Sequence, residues 1–508
     1  MAERPETWAA SAPDRSAVID GSVVLSYREL NAQADRLADG FARMAPPRPA
    51  VAVRLRVRAE WLVVNLALAK LGWEHIAVSR RLTPGECAAI VADSGAALIV
   101  CDDEAPGELV DALDVPVVTI AAAETSPATT SVQRLLATGL PVPRHSSGPA
   151  PLVTYTSGTT GRPRGVRKPI PRDPVAARKL QEYLEQRERQ QARFAGADRV
   201  LLTLPLHHGA GPNVALSTLG RGGTLYLLDR FDPVRVLELI QQHRINRWTT
   251  VPTMLHRIRG LPAEVLTSFD VSSIEWLGVG SAPVPMTLKE WVIGYFGAHC
   301  LVESYGASEV GMVAVMPPQM HLIKPGSCGR LRHGVEVRVV GPAGQPVPVG
   351  DIGELYVRTP LTISAYVNQS EPDEARTADG FFRIGDVGRL DADGYLYITG
   401  RIKDMIISGG VNIYPTEIEH VLVAEPGVAE AAVVGQPDPD LGEQVVAFCT
   451  LRPSSRITAE ALLSRLAGRL AKFKIPRRIV LVDDFPRNAM GKVDKPALRR
   501  LTTERTPS

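Results

Sequence analysis

The chain has no closely spaced cysteine pairs, and this absence excludes several kinds of protein. Its five cysteines are scattered over 508 residues, so neither a disulfide framework nor a cysteine-based metal site is expected. The first residues are charged and polar and lack the apolar stretch of a secretion signal. No uninterrupted apolar run is long enough to span a bilayer. We therefore expect a cytoplasmic protein that does not bind membranes.

The chain also lacks a strong excess of either charge. It carries 57 Lys and Arg against 55 Asp and Glu, a net charge of +2, which is too small to hold nucleic acid electrostatically. A hydrophobic content of 45% is typical of a globular protein. A chain of 508 residues is too long for one hydrophobic core. Lysine is scarce and most of the positive charge is arginine, so individual lysines merit attention.

Residues 155–166 read YTSGTTGRPRGV and form the most informative segment of the chain. They follow an apolar pair, Leu152 and Val153, and combine many hydroxyls with little side-chain bulk. Glycine permits close backbone approach, and successive N–H groups form an anion-binding concavity. Arg162 and Arg164 add positive charge for outer phosphates. The segment differs from the usual nucleotide P-loop, and a flexible linker is the alternative, but we predict polyphosphate binding.

Strand-like and helical patterns alternate along most of the chain, which predicts parallel sheets with helical crossovers. Residues 102–149 have the composition of a loose connection, and residues 174–196 that of a solvated helix. After Gly329 the pattern changes to β-hairpins with turns at 341–344 and 391–394. We predict an α/β protein with two domains. Residues 1–401 form a large domain of mixed sheets flanked by helices with a β-barrel-like part, and residues 402–508 a small α+β domain. The predicted strands are residues 50–53, 97–100, 200–202, 225–228, 276–279, 335–340 and 353–358, with a helix over 59–71.

Five further segments carry side chains that suit a nucleotide or the predicted domain boundary, where residues 400–404 bring opposite charges together. Tyr305 offers an aromatic face for a purine, and Glu309, one turn later, offers a carboxylate for Mg²⁺. Residues 280–283 are small enough to lie against a flat base. Asp386 ends a strand-like run, where its carboxylate suits ribose hydroxyls. Lys492 lies on a glycine turn near the end of the chain. Each residue by itself is more often an ordinary surface residue.

Taken together and in this order, the segments resemble the adenylate-forming superfamily of acyl- and aryl-CoA ligases, peptide-synthetase adenylation domains and luciferases. The resemblance covers residues 26–499, and residues 403–419 and 205–208 are most similar to the CoA-ligase branch. It implies ATP, Mg²⁺ and coenzyme A as cofactors and a small-molecule carboxylic acid as substrate. It also implies a hinge at Lys403, about which the small domain rotates between two half-reactions. We expect a monomer or a homodimer.

The resemblance also implies roles for individual residues. Those with catalytic roles are Lys492, which neutralises charge at the α-phosphate, Glu309, which is also the Mg²⁺ ligand, Arg164 and His208. Those that bind ATP phosphates are Thr156, Ser157, Gly158, Thr159, Thr160 and Gly161. Those that bind the nucleoside are Gly280, Ser281, Ala282, Pro283, Ser304, Tyr305, Gly306, Ser308, Asp386, Ile398 and Arg401. Those that let the coenzyme A arm pass are Gly409 and Gly410.

Several positions depart from the family pattern. Arg164 stands where a lysine is usual, and a planar guanidinium differs from a point charge. Ser308 replaces a threonine and keeps the hydroxyl. Arg80 and Arg81 are either surface residues or contacts for an acidic substrate or the phosphates of coenzyme A. The adjacent His207 and His208 lack the further ligands that a metal site needs.

Three functions fit these motifs. The first is an acyl- or aryl-CoA ligase. The second is adenylation with another acceptor: an amine, a carrier-protein thiol, or an arylamine after nitrite activation. The third is a degenerate adenylate-binding protein, which the joint presence of Glu309, Asp386, Arg401 and Lys492 disfavours. Small and apolar residues at 209–212, 279 and 310–312 fit a medium-sized or flat aromatic acid.

Overall fold

The computed structural model describes residues 4–44, 48–102, 106–120, 129–145, 150–157, 163–171, 173–191, 197–369, 374–452, 455–487 and 493–503. Within these ranges, none of the helices combines the length and the apolar character that crossing a bilayer requires. All five cysteines are buried and have free thiols.

The first third of the chain builds one sheet with helices packed against it and contributes two strands, β1 and β2, to a second sheet. Its elements are α1 (Pro5–Ser11), β1 (Ser16–Asp20), β2 (Val23–Ser26), α2 (Tyr27–Met44), β3 (Ala50–Arg54), α3 (Ala59–Leu71), β4 (Glu74–Ala77), α4 (Pro84–Ser94), β5 (Leu98–Cys101), α5 (Pro106–Ala112), β6 (Val117–Thr119), β7 (Thr129–Ser131), α6 (Val132–Thr138), β8 (Leu152–Ser157) and β9 (Pro163–Arg167). Strands β3 to β9 form a seven-stranded sheet in the order β7-β6-β5-β3-β4-β8-β9. Its neighbours are parallel except β8 and β9, which form an antiparallel pair.

The middle of the chain repeats the alternation of strands and helices in a second sheet. Its elements are α7 (Pro174–Gln191), β10 (Arg199–Leu202), α8 (Ala210–Gly220), β11 (Thr224–Leu227), α9 (Pro233–His243), β12 (Arg247–Thr250), α10 (Pro252–Arg259), α11 (Ala263–Thr267), β13 (Trp276–Gly280), α12 (Met286–Phe296), β14 (Leu301–Ala307) and β15 (Gly311–Met316). Strands β10 to β14 are parallel to their neighbours here, and β15 turns back antiparallel to β14.

An antiparallel region continues this second sheet. Its strands are β16 (Gly329–Leu331), β17 (Glu336–Val340), β18 (Gly353–Arg358), β19 (Phe382–Leu390) and β20 (Tyr395–Arg401). The complete sheet has thirteen strands in the order β17-β18-β19-β20-β16-β15-β14-β13-β12-β10-β11-β1-β2. The hairpins predicted after Gly329 therefore extend the same sheet that contains the parallel strands β10 to β14.

The last hundred residues form a separate, smaller sheet. Its elements are β21 (Ile406–Ser408), β22 (Val411–Ile413), α13 (Pro415–Val423), β23 (Val428–Asp438), β24 (Gly442–Leu451), α14 (Ala459–Leu466), β25 (Arg478–Leu481) and α15 (Lys495–Thr503). The strand order is β22-β21-β24-β23, and β25 pairs with β24. The chain changes sheets between Arg401 and Ile406, close to the predicted domain boundary, which stays a prediction.

Local chemistry explains where the helices of the first sheet begin and end. Helix α3 is apolar over most of its length and fully enclosed, and it ends at Gly72, whose φ of 68° is the left-handed conformation that glycine adopts at low cost. Helix α4 begins with a reciprocal capping box between Thr83 and Glu86. The largest fully buried side chains include Trp61 in the first sheet's core and Trp248 in the second's.

The predicted strands and the helix over 59–71 are confirmed, with boundaries within a residue or two. The prediction of a loose connection over 102–149 was wrong, because this stretch supplies β6, β7, α5 and α6. The two strands have only three residues each, too few for a recognisable alternation of apolar and polar residues. The helix predicted at 174–196 is present as α7, but one of its faces is not solvated, since Tyr183 is buried and donates to the carbonyl of Met312.

Candidate active site

Most of the predicted site residues that the structure describes border one large cleft, which we call the central cleft. Its volume is about 4220 Å³, and it is bordered by the ends of β8, β9, β14, β19 and β20 and by α13 and α15 of the small sheet. Sheet pairing fixes part of this arrangement. Gly280 lies beside Ser304, Thr156 beside Arg164, and Asp386 beside Arg401.

Three side chains contact one another at one end of the cleft, through one hydrogen bond and one ion pair. The hydroxyl of Tyr305 donates to Oδ2 of Asp386 over 2.5 Å, and Nε of Arg401 lies 2.9 Å from Oδ1 of the same carboxylate. Asp386 is only 4% exposed. Burial, followed by the charge of Asp386, raises the pKa of Tyr305 well above its ordinary value, so the phenol is a neutral donor. Ser304 and Ile398 border the cleft next to this group.

The loop after β13 contains a strained residue. Ser281 has a φ of 67°, a left-handed conformation that is uncommon outside glycine. Ser281, Ala282 and Pro283 border the cleft. A Cβ on Gly280 would lie 2.5 Å from the carbonyl oxygen of Ser304. The glycine at this position is therefore required by the neighbouring strand.

Glu309 lies in a turn, residues 308–310, that is held by a segment remote in sequence. Tyr366 donates its hydroxyl to Oε1 of Glu309 over 3.2 Å, and the N–H of Ile363 donates to the Glu309 carbonyl over 3.0 Å. The guanidinium carbon of Arg164 lies 5.1 Å from the centre of the Tyr366 ring. Ser308, Glu309, Arg164 and Tyr366 all border the central cleft. No motif in the sequence pointed to Tyr366.

The phosphate-loop strands are in place, although the loop itself is not described. Thr156 donates its hydroxyl to the carbonyl of Arg164 over 3.4 Å across the β8–β9 pair. Ser157 is the last residue of β8. The predicted residues Gly158, Thr159, Thr160 and Gly161, as well as Arg162, lie outside the described residues.

A Cβ on Gly306 would lie 2.3 Å from the Gly311 carbonyl oxygen, so this glycine too is required by close strand packing.

The two histidines after β10 pack against each other, with ring centres 4.1 Å apart. Burial, followed by the charges of His208 and the two nearby arginines, lowers the pKa of His207 to about 3. His208 borders the cleft. Arg80 contacts Asp102 over 3.0 Å and approaches Asp229 at 3.7 Å. Arg81 is exposed and borders the cleft.

Of the C-terminal residues predicted to act in catalysis, coenzyme A binding or domain rotation, some border the cleft and others do not. Gly409 and Gly410 form the tight turn between β21 and β22, with φ of 56° and 77°, and neither is among the described residues that border the cleft. Lys403 is exposed at the edge of the cleft. Lys492 lies outside the described residues. The described residues Arg487 and Val493 on either side of it both border the cleft.

Two protein-family models together match most of the chain. A model described as AMP-binding enzyme matches residues 5–367, and one described as AMP-binding enzyme C-terminal domain matches residues 417–492. Feruloyl-CoA synthase from Amycolatopsis sp is 34% identical over 508 residues, which cover 98% of each chain.

Solved structures of similar fold also include enzymes of this kind. The amide bond synthetase McbA from Marinactinospora thermotolerans has a TM-score of 0.83 and 28% identity, covering 98% of this chain and 99% of its own. O-succinylbenzoate coenzyme A synthetase from Bacillus subtilis, in complex with ATP and magnesium ion, has a TM-score of 0.80 and 28% identity, covering 96% and 97%. The chain therefore belongs to the adenylate-forming superfamily of AMP-binding enzymes, near its CoA-ligase branch.

Proposed function

We propose that this enzyme uses ATP to convert a carboxylic acid into an acyl-adenylate and then transfers the acyl group to coenzyme A. The observation that carries the proposal is the convergence of two groups of residues on the central cleft. Tyr305, Asp386 and Arg401 form the first group and suit a nucleoside. Glu309 and Arg164 form the second and suit a metal-bound triphosphate.

The first group is preorganised for a ribose. Asp386 is contacted from two sides, by the Tyr305 hydroxyl and the Arg401 guanidinium, and its buried Oδ1 accepts no hydrogen bond, which leaves acceptor capacity for a ribose hydroxyl. Tyr305 also presents its ring to the cleft, where a purine can stack. Because the same residue contacts both base and sugar sites, the position of the base is fixed relative to the ribose.

The second group fits Mg²⁺ bound to a triphosphate. Tyr366 occupies one oxygen of Glu309, so the carboxylate keeps capacity for a hard cation. Mg²⁺ is commonly held by one or two carboxylates plus substrate phosphates. In the described parts of the chain no group of three or more candidate ligand side chains was found, so phosphate and water oxygens would complete the shell. When bound, the ion would neutralise phosphate charge.

Two displacements follow from this arrangement. A carboxylate oxygen of the acid attacks the α-phosphorus of ATP, the bond to the bridging oxygen breaks, and pyrophosphate leaves. The thiolate of coenzyme A then attacks the acyl carbon, and AMP leaves. We assign to Lys492 the stabilisation of charge at the α-phosphate in the first step. In the second step, rotation about Lys403 would bring Gly409 and Gly410 to the cleft.

Coenzyme A is the acceptor that we favour. Its main support is the 34% identity to feruloyl-CoA synthase over almost the full length of both chains. The second candidate is an amine, which the similarity in fold to an amide bond synthetase favours. Both share the adenylation step, so the residues described above do not distinguish them.

We propose a flat aromatic acid as the substrate. His208 borders the cleft together with the small residues Gly209, Ala210 and Gly211. A Cβ on Gly211 would lie 2.2 Å from the Pro205 carbonyl oxygen, so this part of the wall is fixed by backbone packing. A rigid wall with few side-chain atoms suits a planar ring better than a flexible chain.

The test is ATP–pyrophosphate exchange with a panel of aromatic and aliphatic carboxylic acids. Exchange with aromatic acids is expected, and exchange with none would contradict adenylation. AMP release is then measured with the best acid, with and without coenzyme A and with amines in its place. Release that depends on coenzyme A is expected. Release that depends only on an amine would establish the second candidate.

A further inference from the structure

Lys168, the residue that directly follows β9, is a cation that neither the motifs nor the proposed roles include. It borders the central cleft together with Arg164 and Val166 of that strand. The ammonium of Lys168 donates to the carbonyl of Ser308 and, over 3.4 Å, to that of Leu361. These carbonyls lie 140 and 193 residues further along the chain. Lys168 therefore joins β9 to two remote segments.

One of these segments, residues 359–369, we call the strap. The strap also forms direct hydrogen bonds with the turn of residues 308–310. Thr359 donates its hydroxyl to the carbonyl of Val310, and Ile363 donates its N–H to the carbonyl of Glu309. The strap also contacts β9, where the N–H of Val367 donates to the carbonyl of Gly165 over 2.8 Å. Hydrogen bonds thus connect the strap to the turn, the strap to β9, and Lys168 at the end of β9 to both the strap and the turn.

We propose that Lys168 is a positioning residue for magnesium-dependent ATP binding. It fixes the turn that carries Glu309 relative to the strand that carries the phosphate loop, and it supplies the counter-charge for Glu309. This inference rests on the proposed function, because it takes Glu309 as the metal ligand.

The chemistry of Lys168 supports a role in the site over a role in packing alone. Burial lowers its pKa to about 8, and the neighbouring carboxylate of Glu309 acts in the opposite direction. Lys168 is partly buried, and a partly buried ammonium has a desolvation cost that an apolar side chain of similar size avoids. A lysine is therefore a poor choice for filling space. It is a good choice where the carbonyls of two remote segments must be held in one place beside a carboxylate.

The experiment compares Lys168→Met and Lys168→Arg with the wild type. Lys179→Met is the matched control, because Lys179 is an exposed lysine on α7 away from the cleft. Binding of ATP is measured by titration calorimetry over a range of Mg²⁺ concentrations, and thermal unfolding is recorded for each variant. Residues that orient a metal ligand typically change metal affinity ~10- to 100-fold when replaced. We expect Lys168→Met to raise the Mg²⁺ midpoint for ATP binding by about tenfold or more. Lys168→Arg should recover part of the loss and Lys179→Met should match the wild type.

A double variant tests whether Lys168 acts through Glu309. If it does, Lys168→Met adds little to the loss caused by Glu309→Gln, because the two changes remove one function. Losses that multiply would overturn the inference, as would a Lys168→Met variant whose Mg²⁺ midpoint is unchanged or lower. If Lys168→Met does not fold, the same comparison is made with Lys168→Arg. Wild-type ATP binding that ignores Mg²⁺ would instead contradict the metal site of the proposed function.

Discussion

The hydrogen bond between Tyr305 and Asp386 gives the sharpest test of the nucleoside site. In Tyr305→Phe the ring stays and only the hydroxyl is lost, so any stacking on the base is preserved. The lost bond joins a neutral donor to a buried carboxylate over 2.5 Å. Hydrogen bonds to charged groups contribute ~1.5–3 kcal/mol, which corresponds to ~10- to 100-fold in affinity. We expect the KM for ATP to rise within this range, with the KM for the acid unchanged.

The effect should not depend on pH in ordinary assays. The pKa of Tyr305 lies well above that of a free tyrosine, so the phenol keeps the proton that it donates until the pH exceeds that raised value. Tyr397→Phe is the control, because its hydroxyl is 3.4 Å from Asp391, outside the cleft. Pyrophosphate exchange at varied ATP measures both variants. An unchanged KM in Tyr305→Phe, or an equal rise in Tyr397→Phe, would refute the reasoning.

Four further changes test the remaining parts of the site. Glu309→Gln keeps an acceptor for Tyr366 but is a poor ligand for a hard cation, so Mg²⁺-dependent exchange should nearly vanish while the melting temperature holds. Arg164→Lys keeps the charge and loses the planar contact with the Tyr366 ring, worth ~0.5–1 kcal/mol, so the KM for ATP should rise a few-fold in the same assay. Lys492→Ala should reduce adenylation ~10²- to 10³-fold and spare thioester formation from synthetic acyl-AMP; equal losses in both steps would contradict its role. Ser281→Gly removes a left-handed residue that costs ~1–3 kcal/mol and should not lower the melting temperature, whereas Ser281→Val should lower it.

Much of the fold could be predicted from the sequence because buried parallel strands are continuous apolar runs. Strand β3 and helix α3 are enclosed on all sides, and their apolar character marks them without reference to any partner. The short strands β6 and β7 could not be predicted in this way. Their place in the sheet comes from pairing with β5, and nothing in three residues encodes that partner.

The site was predictable to the extent that its residues lie in compact motifs. Tyr305 and Glu309 are four residues apart, and their joint presence is visible in the sequence. Tyr366 and Lys168 are different, because their contacts reach residues 57 and 140 positions away. The available signals for Lys168 were its position directly after β9, close to Arg164 in sequence, and the small number of lysines in the chain. Tyr366 lies in an irregular segment, and no periodicity marks it.

The position of the cleft between two sheets explains why such remote contacts are needed. Strands β8 and β9 belong to the seven-stranded sheet, whereas β14, β19 and β20 belong to the thirteen-stranded one. The phosphate and nucleoside ends of one ATP molecule would therefore contact different sheets, and within the described ranges no strand pairing joins these two sheets. The hydrogen bonds of residues 359–369 and of Lys168 cross this gap directly. An error of 1 Å in the separation would misalign the α-phosphate with the attacking carboxylate, and such misplacements cost ~10²-fold in rate. Under the proposed function, this demand for alignment accounts for a partly buried cation and a tyrosine where simple packing would accept apolar side chains.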